Sequence, residues 1–293
     1  MASTPNPLPS TPESLLPIVL AAMERTPDAR LRRLMASLTT HLHAFVLENA
    51  VTEAEWERAV GFLVGIGQAT GETKNEVILA SDLLGVSTLV ALLNHPGADG
   101  GHSEAALLGP FWRADAPVCE PGANIARGDT PGMALEVSGT VFGRDGPLAG
   151  ATVDVWQASP VGLYENQDER QPEMNLRGRF RTDAEGCYRL RTVHPAGYPV
   201  PTDGPCGELL RAQRRHPYRP AHLHFMVSAP GYQVHVTQVF PAGAEHLDSD
   251  PVFGATTALV VPVEPARADA AARLRRDFRL TPGEAVFPHP PIP

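Results

Sequence analysis

Two histidines separated by one residue, His222 and His224, lie in an apolar, β-prone segment, residues 219–227. Successive side chains of a β-strand point to opposite faces, so both imidazoles are expected on one face, about 6–7 Å apart between Cα atoms. Two imidazoles presented by a rigid strand can supply half of a metal site. The alternative is a pair of hydrogen-bonded histidines without a metal, because short motifs often match by chance.

A second His-x-His pair, His41 and His43, provides an internal comparison. It lies in a segment with helical periodicity, whose apolar residues are Leu31, Leu34, Met35, Leu38, Leu42, Phe45 and Val46. Side chains at positions i and i+2 of a helix do not face each other. We therefore predict that this second pair does not chelate a metal.

Two imidazoles need further ligands, and two long irregular segments, residues 159–178 and 194–220, offer one tyrosine each near their starts, Tyr164 and Tyr198. Cysteines or clustered carboxylates would have indicated zinc or ferrous iron. Two phenolates with two imidazoles suit a hard trivalent ion, because only a strong Lewis acid keeps tyrosine deprotonated far below its usual pKa of about 10. From the residues alone, packing or hydrogen bonding stays an alternative role for both tyrosines.

Composition and charge restrict the class of protein. The net charge of −9 over 293 residues argues against a nucleic-acid partner and against binding to anionic membranes. Three widely spaced cysteines, Cys119, Cys187 and Cys206, suggest no disulfide framework and favour the cytoplasm. The first residues lack the pattern of a secretory signal, and no apolar run reaches the roughly 18–20 residues that span a bilayer. We expect a cytoplasmic protein without membrane insertion.

Helical patterns extend to about residue 95, after a polar, proline-rich tail of about eleven residues. Thr26 before Pro27 predicts the N-cap of one helix, and Thr52 with Glu55 predicts a capping box at the start of another. A third helical segment, residues 75–94, is predicted to break near Gly85. The broad apolar surface of these helices must pack against the rest of the chain, a second subunit or both.

From about residue 100 the pattern changes to short alternating segments between Gly, Pro and Asp turns. We predict strands over residues 135–143, 151–157, 179–182, 187–193, 221–228, 232–240, 258–263 and 274–280, without helices between them. The fold class is therefore expected to be mainly β, an antiparallel β-sandwich over residues 105–293 preceded by the tail and helical region over residues 1–104.

Several motifs together resemble the signature of the intradiol ring-cleaving dioxygenases, which are non-haem ferric enzymes that open catechols between the two hydroxylated carbons. These motifs are residues 162–164, 197–205 and 219–225, and residues 153–157 and 176–183 also match. The helical front region is similar to the region that forms the dimer contact in the catechol and hydroxyquinol branch of the family. The resemblance covers nearly the whole chain.

The resemblance implies that Fe(III) is bound by Tyr164, Tyr198, His222 and His224, and that Tyr198 is released when substrate chelates the metal. Arg219 and Gln238 match positions beside the substrate. A fixed guanidinium there can stabilise the negative charge that develops on ring opening. The alternative for Arg219 is a surface ion pair.

Residues 79–87, 104–111 and 248–254 resemble the hydroxyquinol branch of the family. Asp82 could accept a hydrogen bond from a third ring hydroxyl, which would discriminate against substrates that lack it. The alternative is that Asp82 caps a helix break near Gly85. Ala80, Leu108 and Trp112 depart from the usual pattern or vary in the family. By the same resemblance, the other residues of the pocket wall are Leu79, Leu107, Leu108, Gly109, Pro110, Phe111, Val200, Pro201 and Val252.

The resulting hypothesis is an enzyme that cleaves hydroxyquinol (1,2,4-trihydroxybenzene) with O₂ to 3-hydroxy-cis,cis-muconate, which tautomerises to maleylacetate, in aromatic catabolism. The resemblance further implies a homodimer formed through the N-terminal helices, with a phospholipid bound at that contact. Three alternatives stay open: a catechol or substituted-catechol 1,2-dioxygenase, a non-catalytic β-sandwich binding module, and a zinc hydrolase built on His222 and His224.

Overall fold

The computed structural model describes residues 8–72, 74–94, 101–267 and 270–289. By its internal contacts the chain divides into two compact units, Met1–Leu63 and Val64–Pro293. The division predicted from the sequence, at residues 104 and 105, stays a prediction. Of the predicted N-terminal tail, residues 1–7 lie outside the described residues.

The first unit contains helices α1, Pro12–Met23, and α2, Ala29–Glu48, and most of α3, Glu53–Gln68. Helix α2 begins two residues later than predicted, because the carboxylate of Asp28, and not Thr26, caps it by accepting a hydrogen bond from the Leu31 amide at 2.8 Å. The capping box of α3 is confirmed. Thr52 N donates to Glu55 Oε2 at 2.9 Å, and Glu55 N donates to Thr52 Oγ1 at 3.3 Å.

No side chain of α1 or α2 is buried. The apolar stripe of α2 is open, with Leu38 exposed by 52% and Phe45 by 57%. His41 and His43 both lie on this helix, as their periodicity predicted. Several large apolar side chains of the first unit are therefore exposed in the described part of the chain.

The second unit begins with the end of α3 and continues with α4, Glu76–Leu83, and α5, Val86–Asn94. The predicted helix break near Gly85 is confirmed. Gly85 adopts a left-handed conformation with φ of +71°, and the two helices are bent by 77°. Among the described residues no single helix is long and apolar enough to cross a bilayer, and α4 and α5 meet that test only as a bent pair.

The remaining elements are short. In chain order the strands are β1 Ala134–Gly143, β2 Gly146–Pro147, β3 Thr152–Gln157, β4 Arg177–Arg181, β5 Cys187–Val193, β6 Tyr198–Pro199, β7 Tyr218–Arg219, β8 Leu223–Ser228, β9 His235–Pro241, β10 Val260–Val261, β11 Val263–Glu264, β12 Ala272–Arg275 and β13 Phe278–Arg279. One further helix, α6, spans Pro205–Ala212 between β6 and β7.

The strands form two larger sheets and one small one. In the first sheet, β1 pairs antiparallel with β2 and β5 and parallel with β12 and β13, while β11 pairs antiparallel with β12. The second sheet has the order β10-β9-β8-β3-β4 and is antiparallel except where β10 meets β9. Strands β6 and β7 form an antiparallel pair of their own. The sheets are therefore mixed, whereas the sequence predicted antiparallel pairing throughout.

Strands β3 and β8 are buried on both faces. Val153, Val155, Phe225 and Val227 join a core cluster that also contains side chains of the first sheet, such as Val137. The opposite face carries Asp154 and Trp156 on β3 and His224 and Met226 on β8, all nearly inaccessible. This second buried face positions the candidate site.

The expectation of a helix-free region after residue 105 is wrong at one place. Helix α6 occupies part of segment 194–220, with Gly204 as N-cap and Pro205 at its first position. Proline at the first helical position is a helix-start signal, so the sequence contained the information. Segment 159–178 contains one turn of 3₁₀ helix, Glu165–Gln167.

Candidate active site

His224 lies in β8, the central strand of the second sheet, and His222 directly precedes that strand. His224 is opposite Trp156 of β3 and Gln238 of β9. Its ring stacks on the Trp156 indole, with centroids 4.8 Å apart and planes at 8°. His222 Nδ1 lies 2.8 Å from the carbonyl oxygen of Pro220. A carbonyl can only accept, so His222 carries its proton on Nδ1 and keeps the lone pair on Nε2.

The candidate ligand atoms converge. The Nε2 atoms of His222 and His224 are 3.1 Å apart, and His224 Nε2 is 2.9 Å from the hydroxyl of Tyr164. The ring of Tyr198 lies 5.5 Å from that of Tyr164 and 5.5 Å from that of His222, measured between centroids. All four side chains are buried. The structure thus brings together the two tyrosines and two histidines that the sequence singled out.

Burial sets the protonation of this group in the metal-free protein. Burial and the Arg219 charge lower the pKa of His222 to about 3. Burial, then the neighbouring His222, lower the pKa of His224 well below its ordinary value. Burial and the neighbouring Tyr198 raise the pKa of Tyr164 well above 10. Both imidazoles are therefore neutral, which is the form that binds metals.

These residues fit a metal ion. Donors that lie about 2.1 Å from one ion at a right angle are about 3 Å apart, close to the spacing of the three atoms here. Among the described residues no three His, Cys, Asp or Glu side chains group into a metal site, and the phenol oxygen of Tyr164 is the third donor atom beside the two imidazoles. Two tyrosines beside two neutral imidazoles offer donors that suit a hard cation.

Arg219 is buried beside the histidines, so the alternative of a surface ion pair is wrong. Its Nε and NH2 atoms contact the two oxygens of Asp250 at 3.2 Å each, and NH2 donates to Gln238 Oε1 at 2.9 Å. NH1 lies 3.3 Å from His222 Nε2. Gln238 is fixed in turn by donating to the Leu107 carbonyl at 2.7 Å.

Asp250 fixes the orientation of the Arg219 guanidinium by accepting hydrogen bonds from it. Burial opposes its ionisation, but the Arg219 charge and hydrogen bonds from backbone amides prevail, so its pKa is lowered. The amides of Gly254 and Ala255 donate to Oδ2 at 3.0 and 3.2 Å. Because the carboxylate is itself fixed, the guanidinium has one orientation relative to the histidines.

A cavity of about 430 Å³ opens beside this group. All ten side chains predicted for the substrate pocket line it, together with Tyr198 and Arg219. It is also lined by residues that the sequence reasoning did not assign to the pocket: Lys74, Asn75, Glu76, Ile78, Ser87, Gly162, Leu163, Gln167, Pro199 and Thr202. Several of these residues lie in segments 79–87, 162–164 and 197–205, which resemble the family, and this position in the sequence could have identified them as pocket residues.

Segment 107–111 closes the cavity against the candidate ligands. The ring of Phe111 stacks on that of Tyr164, with centroids 4.3 Å apart. Gly109 has a φ of +70°, and a Cβ there would lie 3.0 Å from His224 Cε1. Only glycine combines that backbone conformation with so close an approach to the imidazole.

Asp82 lies on α4, partly buried, and lines the same cavity. Burial raises its pKa to about 6, although a hydrogen bond with Ser87 and the charge of Arg219 act in the opposite direction. Ser87 also meets Ser81, with their hydroxyl oxygens 2.9 Å apart. A partly buried carboxyl is therefore held at the cavity wall by the start of α5.

Asp82→Asn is expected to stabilise the protein at neutral pH. The folded-state pKa of about 6 exceeds the ordinary value of 3.8, so ionisation of Asp82 costs stability increasingly from about pH 4 to above pH 6. The shift corresponds to roughly 3 kcal/mol at most, at 1.36 kcal/mol per pKa unit. The unfolding free energies of the two proteins should diverge between pH 5 and pH 7.5 in urea titrations. A constant difference between them would mean that Asp82 is not destabilised by burial.

Comparison with known proteins agrees with this geometry. Residues 28–102 match the family model described as catechol dioxygenase N terminus, and residues 107–282 match the model described as dioxygenase. A hydroxyquinol 1,2-dioxygenase of Rhizobium sp. (strain MTP-10005) is 47% identical over 244 residues, which cover 83% of this chain and 82% of the relative. A 6-chlorohydroxyquinol 1,2-dioxygenase of Cupriavidus pinatubonensis is 43% identical, over 92% of this chain and 97% of the relative.

The solved structure of a hydroxyquinol 1,2-dioxygenase from Pseudomonas putida DLL-E4 has a TM-score of 0.86 to this chain at 39% identity, covering 93% of this chain and 99% of that one. The chain belongs to the intradiol ring-cleavage dioxygenases, a family of non-haem iron enzymes. Within that family it is an enzyme of the hydroxyquinol 1,2-dioxygenase type.

Proposed function

We propose that this enzyme cleaves hydroxyquinol with O₂ between its two adjacent hydroxylated carbons. The product is 3-hydroxy-cis,cis-muconate, which tautomerises to maleylacetate. The observation that carries the proposal is that Asp82, Tyr198 and Arg219 line one cavity. An acidic acceptor, a candidate metal ligand and a fixed cation therefore face the same substrate.

Fe(III) held by Tyr164, Tyr198, His222 and His224 is the cofactor that the donor set suits best. When bound, ferric iron draws electron density from the chelated diol and makes a ring carbon reactive towards O₂. Two neutral imidazoles and two phenol oxygens match its preference for hard ligands. The Trp156 stack fixes the ring of His224, and the Pro220 carbonyl fixes that of His222.

The residues around the metal position substrate and move protons. Tyr198 would be the ligand that the diol displaces, and its oxygen would then accept a substrate proton. Arg219 presents a fixed positive charge where ring opening develops negative charge, and Gln238 and Asp250 keep it in place. The apolar wall that includes Leu107 and Phe111 excludes water from the reacting carbons.

Tyr164→Phe and Tyr198→Phe should each change the visible absorption of the iron-loaded enzyme. Phenolate-to-iron charge transfer gives colour, and each substitution removes one phenolate oxygen. The measurement is an absorption spectrum of protein with known iron content, with Tyr218→Phe as control because Tyr218 is half exposed and outside the cavity. A spectrum that neither substitution alters would exclude both phenolates from the ligand set.

The proposed substrate is tested by product identification. Purified enzyme is incubated with hydroxyquinol, catechol and substituted catechols under O₂, and the products are identified by mass. We expect hydroxyquinol to be preferred, and Asp82→Asn to lose about 10- to 100-fold of that preference because the third hydroxyl loses a charged acceptor. An unchanged preference would mean that Asp82 does not select the ring. Equal or faster turnover of catechol would favour a catechol 1,2-dioxygenase, and no turnover of any diol a binding module.

We further infer a cytoplasmic β-sandwich enzyme that dimerises through its N-terminal helices, with phospholipid at the contact. The exposed apolar stripe of α2 supports a partner surface of this kind. Side chains of both larger sheets meet in one core cluster, which supports the sandwich, and three free cysteines support the cytoplasm. Sedimentation of wild type and Leu38→Glu, with mass analysis of extracted lipid, tests the dimer and its lipid.

A further inference from the structure

Arg177 is a buried arginine that the mechanism above does not use. It lies on β4 with 1% of its surface exposed. Its Nε donates to Glu165 Oε2 at 2.7 Å, its NH1 donates to the Phe111 carbonyl, and its NH2 donates to Asn166 Oδ1 at 3.4 Å. The guanidinium carbon lies over the Tyr164 ring, 5.9 Å from the centroid. Arg177 thus contacts both Phe111 and the two residues that directly follow Tyr164.

Glu165 directly follows Tyr164 and holds the arginine in this position. Its carboxylate is almost fully buried and also accepts a hydrogen bond from Arg113 NH1 at 2.9 Å. The carbonyl of Phe111 accepts a hydrogen bond from Arg177, and the Phe111 ring stacks on the Tyr164 ring. The Tyr164 ring therefore contacts both an aromatic ring and a charged group.

Stability alone does not account for a charge at this place. Desolvation of a buried ion pair often costs as much as its attraction returns, so such pairs are weak stabilisers. A cation near an aromatic face does, however, attract its electrons, and in a dry site solvent and salt screen that field little. The charge therefore acts on Tyr164.

We propose that Arg177 is a positioning residue for Tyr164, which orients the phenol and, through its charge, sets how strongly the phenolate oxygen donates electrons to the bound cation. This inference rests on the proposed role of Tyr164 as an iron ligand. Glu165 contributes to the same effect, because it fixes the Arg177 guanidinium and partly neutralises its charge.

The test is the position of the visible absorption band in iron-loaded variants, measured with iron affinity. A positive charge near the phenolate lowers the energy of its electrons and moves the charge-transfer band to shorter wavelength. Arg177→Met should therefore shift the band to longer wavelength, and Glu165→Gln, which leaves Arg177 unneutralised, to shorter wavelength. The double variant should lie between them, and Arg177→Lys close to wild type. Iron affinity should fall about 10- to 100-fold in Arg177→Met.

Arg179→Met is the matched control. Arg179 lies on the same strand and also pairs with a carboxylate, Asp154, at 2.7 Å. Its side chain donates to Asp154 and to the Ala114 carbonyl, and not to Tyr164 or Tyr198. We expect its band at the wild-type position. Shifts of Arg177→Met and Glu165→Gln in the same direction, or none, would overturn the inference and leave Arg177 a structural residue.

Failure of the inference and failure of the proposed function give different results. A wild-type spectrum without a band that Tyr164→Phe alters refutes the ligand role of Tyr164. A normal band that Arg177 and Glu165 variants leave in place refutes only the role of Arg177. If Arg177→Met does not fold, Glu165→Gln decides alone, and an unshifted band overturns the inference.

Discussion

Replacing His224 with alanine is expected to abolish iron binding and ring cleavage together. The Nε2 atom of His224 lies within 3.1 Å of both His222 Nε2 and the Tyr164 hydroxyl, so it links the other two candidate ligand atoms. Loss of a ligand should exceed the roughly 10- to 100-fold cost of losing a supporting partner of a metal ligand. The measurements are iron content per chain and turnover of hydroxyquinol at saturating substrate.

The chain offers its own control for this experiment. His41 and His43 repeat the His-x-His spacing on α2, where helical geometry separates their side chains. A variant with both replaced by alanine should retain iron and turnover. Retention of iron by His224→Ala, or its loss from the α2 variant, would contradict the assignment of the site.

Replacing Arg219 with methionine is expected to lower kcat by about 10²- to 10³-fold, the usual cost of removing one fixed donor from the charge-stabilising group of an active site. Iron should stay bound, because Arg219 supplies no ligand. The substitution also strands the buried carboxylate of Asp250, which could cost about 3–5 kcal/mol of stability. The double variant Arg219→Met/Asp250→Asn removes that penalty, and kcat with iron content should be measured in both.

Arg219→Lys separates charge from geometry. Lysine keeps the charge but cannot contact Asp250 and Gln238 with a planar fork, so kcat should fall between those of wild type and Arg219→Met. A lysine variant as slow as the methionine variant would mean that orientation matters more than charge. If the double variant had the wild-type kcat, Arg219 would have no role in the reaction.

The parts of the site that follow from local patterns were predictable. The alternation of a strand placed His222 and His224 together, and helical spacing separated His41 from His43. The break at Gly85 followed from a residue that tolerates positive φ. These features depend on residues that are neighbours in sequence, so they can be predicted from local sequence patterns.

Features that depend on distant pairing were not accessible in this way. Asp250 and Arg219 are 31 residues apart, and nothing local to either residue identifies the other as its partner. The parallel pairing of β1 with β12 joins segments about 137 residues apart and has no signature within either strand. The resemblance to a known family, and not periodicity, supplied the proposed tyrosine ligands and the proposed pocket wall.

The double burial of β3 and β8 has a consequence for how this enzyme can diversify. The strand that presents the histidines is also the central strand of the hydrophobic interior, so a change such as Phe225→Ala would disturb catalysis without touching the reactants. Among the described residues, those that line the substrate cavity, including Asp82 on α4, are not members of that core cluster. The proposed selector Asp82 and the two histidines thus lie on different elements, so a change at Asp82 can alter selectivity while the packing that holds the histidines is kept.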